Sequence, residues 1–343
     1  MTTLLEARGV TKIFTSGGMI GARKKITVAL DDASISIHSD PPSIIAIAGE
    51  SGSGKTTLSR LLMGLIRPTG GEIFYKGKSP YSMDRAEWMT YRRSVQAIFQ
   101  DPFEVYNPFY NVDHALTSPI ACFEPRTPKA RARQMIEEAL LGVGLRPEET
   151  LGRYPHMLSG GQRQRVMVAR ALLLKPSIIV ADEPVSMVDA SLRATILESL
   201  IQAHRNLGVS LLYITHDLTT AYQVSQNILM LYQGMTVEVG SVDKVIKAPV
   251  HPYTQLLVSS IPLPDPTRRW GRDEVKPVVV ERPAGKANKG CKFAERCPYA
   301  MEMCYDSPPP LFATDDDRAA ACYLYRDKPA LDKEDVLRLY SPR

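Results

Sequence analysis

The 343-residue sequence predicts an α/β fold built on a parallel sheet, and three observations carry that prediction. Short apolar runs that read as buried strands recur along the chain. Segments with leucines and alanines at helical spacing separate them. Each run ends in residues suited to chemistry: a glycine, a carboxylate pair or a histidine. Strands alternating with helices imply parallel pairing, because a parallel partner needs a crossover connection.

The first run, SIIAIAG over residues 43–49, is apolar throughout, as expected of a strand buried on both faces. Leu58, Leu61, Leu62 and Leu65 then recur at helical spacing, with Pro68 as the stop. A second helix is predicted from about Gln162 to Lys175, with Val166, Ala169, Leu172 and Leu173 on one side and Pro176 ending it. SIIVA, residues 177–181, is the next buried strand, followed by Asp182 and Glu183. A helix over about Ala190 to Leu207 follows, with Gly208 as its C-terminal stop. VSLLYIT makes a third buried strand and leads into His216. Residues 85–155 break this rhythm: they are richer in charge and helix formers, carry prolines at 102, 108, 119, 125 and 128, and read as an inserted, mostly helical subdomain. Past residue 240 the composition shifts again. HPYTQLLVSSIP reads as one helix, and a Pro-rich, charged stretch leads into a group of cysteines. There is no internal repeat.

Bulk composition narrows the class. With 44% apolar residues the chain can bury one large core or two domains, and its 23% charged residues leave no long stretch that reads as disordered. The net charge of +5 fits a scattered, solvated surface better than a nucleic-acid footprint, and the basic residues are not massed in an aromatic-rich patch. No apolar run approaches the ~18 residues needed to cross a bilayer, and MTTLLEARGV lacks a secretory hydrophobic core. These features predict a cytoplasmic protein. Only Cys122 of the five cysteines lies outside the C-terminal part, and a reducing compartment argues against a disulfide framework for the other four.

GESGSGKTT, residues 49–57, matches the phosphate-binding pattern G-x-x-x-x-G-K-[ST] between a buried strand and a helix. Gly49, Ser51, Gly52, Ser53 and Gly54 let backbone N–H groups wrap phosphates at a helix N-terminus. Lys55 can reach the β- and γ-phosphates, and the Thr56 hydroxyl can ligate Mg²⁺, with Thr57 beside it. Asp182 can hold Mg²⁺ through water, and Glu183 is a candidate to polarise the attacking water. An acidic pair ending an apolar strand could also be an ordinary charge pair. Beside a P-loop the cation reading is favoured, since such a pair is costly to bury alone. A second Ser-Gly-Gly, in YPHMLSGGQRQRV, opens the helix near Gln162 and is by itself either a helix cap or a second phosphate cradle.

The ensemble resembles the ATP-binding-cassette (ABC) family. GESGSGKTT, the Gln in AIFQDP, LSGGQRQR, IIVADE, VSMVD and the His in YITHD occur in that family's order, over roughly residues 14–217. The resemblance implies a P-loop ABC nucleotide-binding domain over residues 1–240, with a helical subdomain at about 85–155, and a C-terminal extension over 241–343 with a four-cysteine motif. It also implies that two cassettes pack head to tail. Ser159, Gly160, Gly161 and Gln162 would then serve the partner's ATP, which explains a second cradle. By the same resemblance Gln100 senses Mg²⁺ and the γ-phosphate, His216 contacts the γ-phosphate, Asp189 lies at the subunit junction, and Phe14 in VTKIF stacks on adenine. The alternative for Phe14 is a core residue, with stacking favoured. The family's SALD is SMVD here, with the acidic residue kept.

VYNP, YPHMLSGGQRQR, HPYTQLL and GCKFAERCPYAMEMC sharpen the resemblance to the oligopeptide/dipeptide/nickel importer subfamily, over nearly the whole chain. EPVS and the insert GGMIGARKK point to the second of its two ATPase types. The implied partners are a second, unlike ATPase subunit, two transmembrane permeases and an extracytoplasmic solute-binding protein, with the chain on the cytoplasmic face of the membrane. The implied activity is ATP hydrolysis powering uptake of oligopeptides or related small solutes, oligosaccharides among them. Cys291, Cys297, Cys304 and Cys322 are separated by five, six and seventeen residues, which is neither the tight pairing of common zinc sites nor a common ferredoxin spacing. The resemblance implies a 4Fe–4S cluster on these four; zinc and free thiols stay open. Cys122 reads as a packed thiol. The rival functions are a cassette acting on DNA or ribosomes, a regulatory protein with a dead ATP site, and an exporter subunit. The chain lacks the coiled-coil insertion or second cassette expected of the first, and its complete motif set argues against the second. The cysteine tail and HPYT stretch favour import over export.

Overall fold

The computed structural model describes residues 2–16, 25–101, 106–261 and 289–341. Most of the insert GGMIGARKK, Pro102, the first residue of VYNP and the Pro-rich stretch before the cysteines lie outside them. The strands are β1 (Thr2–Ser16), β2 (Lys25–Asp40), β3 (Ile44–Ala48), β4 (Gly70–Tyr75), β5 (Val95–Ile98), β6 (Ile178–Asp182), β7 (Ser210–Thr215), β8 (Asn227–Tyr232), β9 (Met235–Ser241), β10 (Phe312–Asp315) and β11 (Arg318–Ala320). Among the described residues β2-β1-β4 form an antiparallel sheet, and a larger sheet runs β10-β11-β9-β8-β3-β7-β6-β5. The pairs β5–β6, β6–β7, β3–β7 and β3–β8 are parallel. The three predicted buried strands are β3, β6 and β7, and every residue in them is buried.

Two apolar layers sandwich the large sheet. On one face the β1/β2/β4 sheet and helix Lys55–Leu62 pack around Leu5, Ile35, Ile47, Leu58 and Ile214. On the other, helices Val112–Phe123, Lys129–Gly142, Gly160–Leu172 and Ala190–Leu207 pack around Leu116, Leu140, Val168 and Ile196. The predicted stop at Gly208 is present, with φ of 67°. The first helix is shorter than its leucine spacing predicts. It ends at Leu62, because Gly64 adopts φ of 70° and leaves the helical region, and Leu65 is exposed.

Two features differ from a simple insert-plus-tail plan. Val95–Ile98, inside the range read as mostly helical, is a strand that pairs with β6 at the sheet edge. The residues past 241 are not a detached tail either: β11 pairs with β9 and so continues the cassette's own sheet. Alternation over three or four residues is too short a signal to mark such edge strands. His251 explains the HPYT motif. Its Nδ1 accepts from the Tyr253 N–H at 3.0 Å and so caps helix Pro252–Ser259, with Pro252 in the first turn. Burial lowers the His251 pKa to about 3, which keeps that nitrogen free to accept.

Candidate nucleotide site

Four adjacent strands place the site. The P-loop follows β3, Gln100 follows β5, Glu183 follows β6 and His216 follows β7, so the C-terminal ends of neighbouring parallel strands converge. There an open cleft of about 830 Å³ is lined by Ser51, Gly52, Gly54, Lys55, Thr56 and Thr57 with Gln100, Glu183 and His216. Gly52 and Gly54 have φ of 77° and 106°, and a Cβ on Gly54 would lie 2.6 Å from the Ala29 carbonyl oxygen. Only glycine fits there, which gives the sequence pattern its physical reason. Gly49 and the buried Ser53 lie beneath the loop and do not line the cleft.

Lys55 is buried, and its Nζ donates to the carbonyls of Gly49 at 2.7 Å and Glu50 at 2.9 Å. Burial lowers its pKa, against the pull of Glu183 and Asp182. Asp182 is buried too. Burial and the neighbouring Glu183 raise its pKa, while a hydrogen bond from Thr56 and the charge of Lys55 oppose the rise. The Thr56–Asp182 pair is a hydroxyl and a carboxylate of the kind that hold Mg²⁺ beside a nucleotide. Ionising Asp182 here is costly without such a cation.

Glu183 is the hinge of the arrangement. Its φ of 46° turns the chain out of β6, and its N–H still donates to the Ile214 carbonyl at 2.9 Å. A non-glycine residue held in this region stores strain that the surrounding structure must support. Oε2 accepts from the Gln100 side-chain amide at 3.0 Å, and Oε1 lies 2.9 Å from Nδ1 of His216. Three residues far apart in sequence are thus bonded at the cleft.

The second cradle is elsewhere. Ser159 to Gln162 do not line this cleft, and they form a capping box: the Ser159 hydroxyl accepts from the Gln162 N–H at 3.2 Å, and the Gln162 side chain accepts from the Ser159 N–H at 2.9 Å. Within one chain this is a helix cap. Asp189 is exposed at the start of helix Ala190–Leu207. Phe14 is partly exposed under the Lys12 ammonium and does not line the cleft, but its strand partner Thr27 does.

Sequence reasoning missed several residues at the cleft: Thr27, Val28 and Ala29 of β2, Gln233 in the β8–β9 turn, and Lys292. The turn had a local signal. Gln233 and Gly234, with φ of 46° and 84°, make the two-residue hairpin turn that glycine favours. Gly234 donates to the Ser53 carbonyl at 2.8 Å and so braces the P-loop. Lys292 had one too: a cation directly after Cys291.

The four cysteines share one pocket. Cys291, Cys297, Cys304 and Cys322 line one small pocket of about 10 Å³ with Phe293 and Met301, and none is in a disulfide. Burial raises the Cys291 pKa and pushes Cys297 to about 11 and Cys322 to about 12, so thiolates there need a cation. Among the described residues no three His, Cys, Asp or Glu side chains lie close enough together to hold a metal ion. The four thiols share one apolar pocket but are not gathered around one ligating centre. Cys122, read as packed, is exposed on helix Val112–Phe123, because the buried face of that helix is made by Val112, Leu116 and Ile120.

Comparison with known proteins agrees with this geometry. Residues 30–186 match the ABC transporter family, and residues 237–304 match the oligopeptide/dipeptide transporter C-terminal region. The oligopeptide transport ATP-binding protein OppF of Salmonella typhimurium is 38% identical over 268 residues, covering 78% of this chain and 80% of that protein. The dipeptide transport ATP-binding protein DppF of Haemophilus influenzae is 36% identical over 323 residues, covering 94% and 97%. Among solved structures, the dimeric post-hydrolysis state of the ATP-binding cassette MJ0796 bound to ADP and Pi matches with a TM-score of 0.62 at 26% identity, over 70% of this chain and 99% of that one. With a P-loop, a carboxylate pair and a signature helix in one fold, this chain belongs to the ABC transporter ATP-binding proteins, as an ATPase of the oligopeptide/dipeptide transporter family.

Proposed function

We propose that the chain is the ATP-hydrolysing subunit of a peptide importer. The observation that carries the mechanism is the bonded set Gln100–Glu183–His216 at the edge of the P-loop cleft. Lys55 and the loop amides hold the phosphates, and Thr56, Gln100 and Asp182 hold Mg²⁺. Glu183 orients the attacking water, and His216 steadies the γ-phosphate. The chemistry is in-line phosphoryl transfer, driven by positioning and charge neutralisation. Ser159 to Gln162 serve the nucleotide of a second cassette, with Asp189 at the junction and Phe14 against the adenine.

The signal leaves the site through hydrogen bonds. The Gln164 side chain donates to the Phe99 carbonyl at 3.3 Å, next to Gln100, and the Tyr106 hydroxyl donates to the Arg163 carbonyl at 2.9 Å. A shift at Gln100 thereby moves the signature helix and the helical subdomain. The partners are a second, unlike ATPase subunit, two permeases and an extracytoplasmic solute-binding protein, and the chain sits peripherally on the cytoplasmic face. No helix among the described residues is long and apolar enough to cross a membrane. The relatives are oligopeptide and dipeptide transport proteins, which favours peptides over oligosaccharides. The four cysteines hold a 4Fe–4S cluster, which supplies a cross-link for a segment with little core of its own.

Mass spectrometry of what co-purifies with the chain from detergent-solubilised membranes tests this reading. Two multi-span permeases and a second cassette subunit are expected. Recovery with ribosomes or nucleic acid instead would overturn transport and leave only the ATPase.

A further inference from the structure

The cysteine segment is clamped onto the P-loop. Arg296, next to Cys297, reaches both carboxylate oxygens of Glu50 at 3.0 Å, a two-pronged pair that fixes angle as well as distance. From the HPYT helix, the Tyr253 hydroxyl accepts from the Glu50 N–H at 2.8 Å. Phe293 packs edge-on against Tyr232 and Tyr253, with ring centroids 5.3 and 5.6 Å apart. Between these anchors lies Lys292. Its Nζ donates to the Gln233 carbonyl at 2.8 Å and lies 3.6 Å from Asp31, and the side chain lines the nucleotide cleft.

We propose that Lys292 is a nucleotide-binding residue, which the cysteine segment presents to the phosphates of ATP bound in the same chain. The proposal rests on the cleft being the ATP site. Among the described lining residues Lys55 and Lys292 carry the two ammonium groups, and they enter from different parts of the fold. An ammonium has three protons to donate; the Gln233 carbonyl takes one, and the Asp31 carboxylate lies within ion-pair range of it. Lys292 is bonded to none of Gln100, Glu183 or His216, which surround the reacting end. It enters the cleft from the Gln233 and Asp31 side, so on this proposal it grips phosphates that ADP and ATP share. The consequence is that nucleotide affinity depends on an ordered cysteine segment.

The test titrates the purified full-length chain with mant-ATP and mant-ADP, and with adenosine by competition. Lys292→Met keeps the apolar stem and removes the charge; Lys292→Arg keeps the charge. In Lys292→Met both nucleotides should weaken by a similar factor of about ten, the order of one charge-assisted hydrogen bond, with adenosine unchanged and Lys292→Arg restoring most of the loss. Unchanged nucleotide binding in Lys292→Met overturns the proposal. So does an equal loss for adenosine, which would make the lysine part of the scaffold. A wild-type chain that binds no nucleotide would instead overturn the reading of the cleft itself.

Discussion

Nδ1 of His216 lies 2.9 Å from Oε1 of Glu183, joining the ends of the neighbouring strands β7 and β6. The second oxygen of Glu183 is held by Gln100. The carboxylate is thus fixed from two sides, as a residue that orients a water must be.

Glu183→Gln keeps the shape and removes the basic carboxylate. Turnover should fall by at least about a hundredfold with ATP binding intact, and the chain should accumulate as an ATP-loaded dimer. Phosphate release and gel filtration read the two effects. Fast steady-state hydrolysis by the variant would remove Glu183 from its role.

Lys55→Ala acts earlier. It removes the buried ammonium that lines the cleft, so on the proposed role nucleotide binding itself should weaken by about tenfold or more. Equilibrium titration separates this from a defect in turnover.

Ser159→Ala should split along two lines. It removes the hydroxyl that caps Gln162, costing about 1 kcal/mol of stability in the single chain. In a Glu183→Gln background it should also prevent the ATP-loaded dimer, while monomer nucleotide binding stays unchanged. Normal dimerisation on a size-exclusion column would leave the signature as a helix cap alone.

Glu238 ties the C-terminal residues to β9. It is fully buried and accepts from the Val250 N–H at 3.1 Å and the His251 N–H at 3.0 Å, with Arg318 at 3.9 Å. Glu238→Ala strands these partners and should cost about 3 kcal/mol in chemical denaturation. Burial raises the pKa of this carboxyl in the folded chain. Between the ordinary carboxylate range and that raised value, the folded chain holds a proton the unfolded chain has released. Its contribution is therefore lost as pH rises through that window. The stability difference between wild type and Glu238→Gln should shrink accordingly as pH rises.

Anaerobically purified chain should contain iron and acid-labile sulfide, and Cys304→Ser should lose both. Zinc with no sulfide would replace the cluster by a single ion.

How much of this was legible beforehand depends on range. GESGSGKTT announces itself because its glycines answer local demands: a Cβ on Gly54 would lie only 2.6 Å from the Ala29 carbonyl oxygen. The buried strands announce themselves through unbroken apolar runs. The edge strand β5 and the sheet-extending β10 and β11 did not, since short edge strands carry little pattern.

The sequence by itself determined the strand–helix alternation, the phosphate loop, the acidic pair after β6 and the thiol set, because each is written in residues close along the chain. Only the tertiary structure decided what meets what. The order β3-β7-β6-β5 brings Gln100 and His216 to one carboxylate, and packing of the cysteine segment sets Arg296 on Glu50 and Lys292 in the cleft. The physical reason is that those contacts depend on strand order and on the docking of buried aromatic rings. Neither leaves a periodicity in the chain, whereas a turn or a buried strand does.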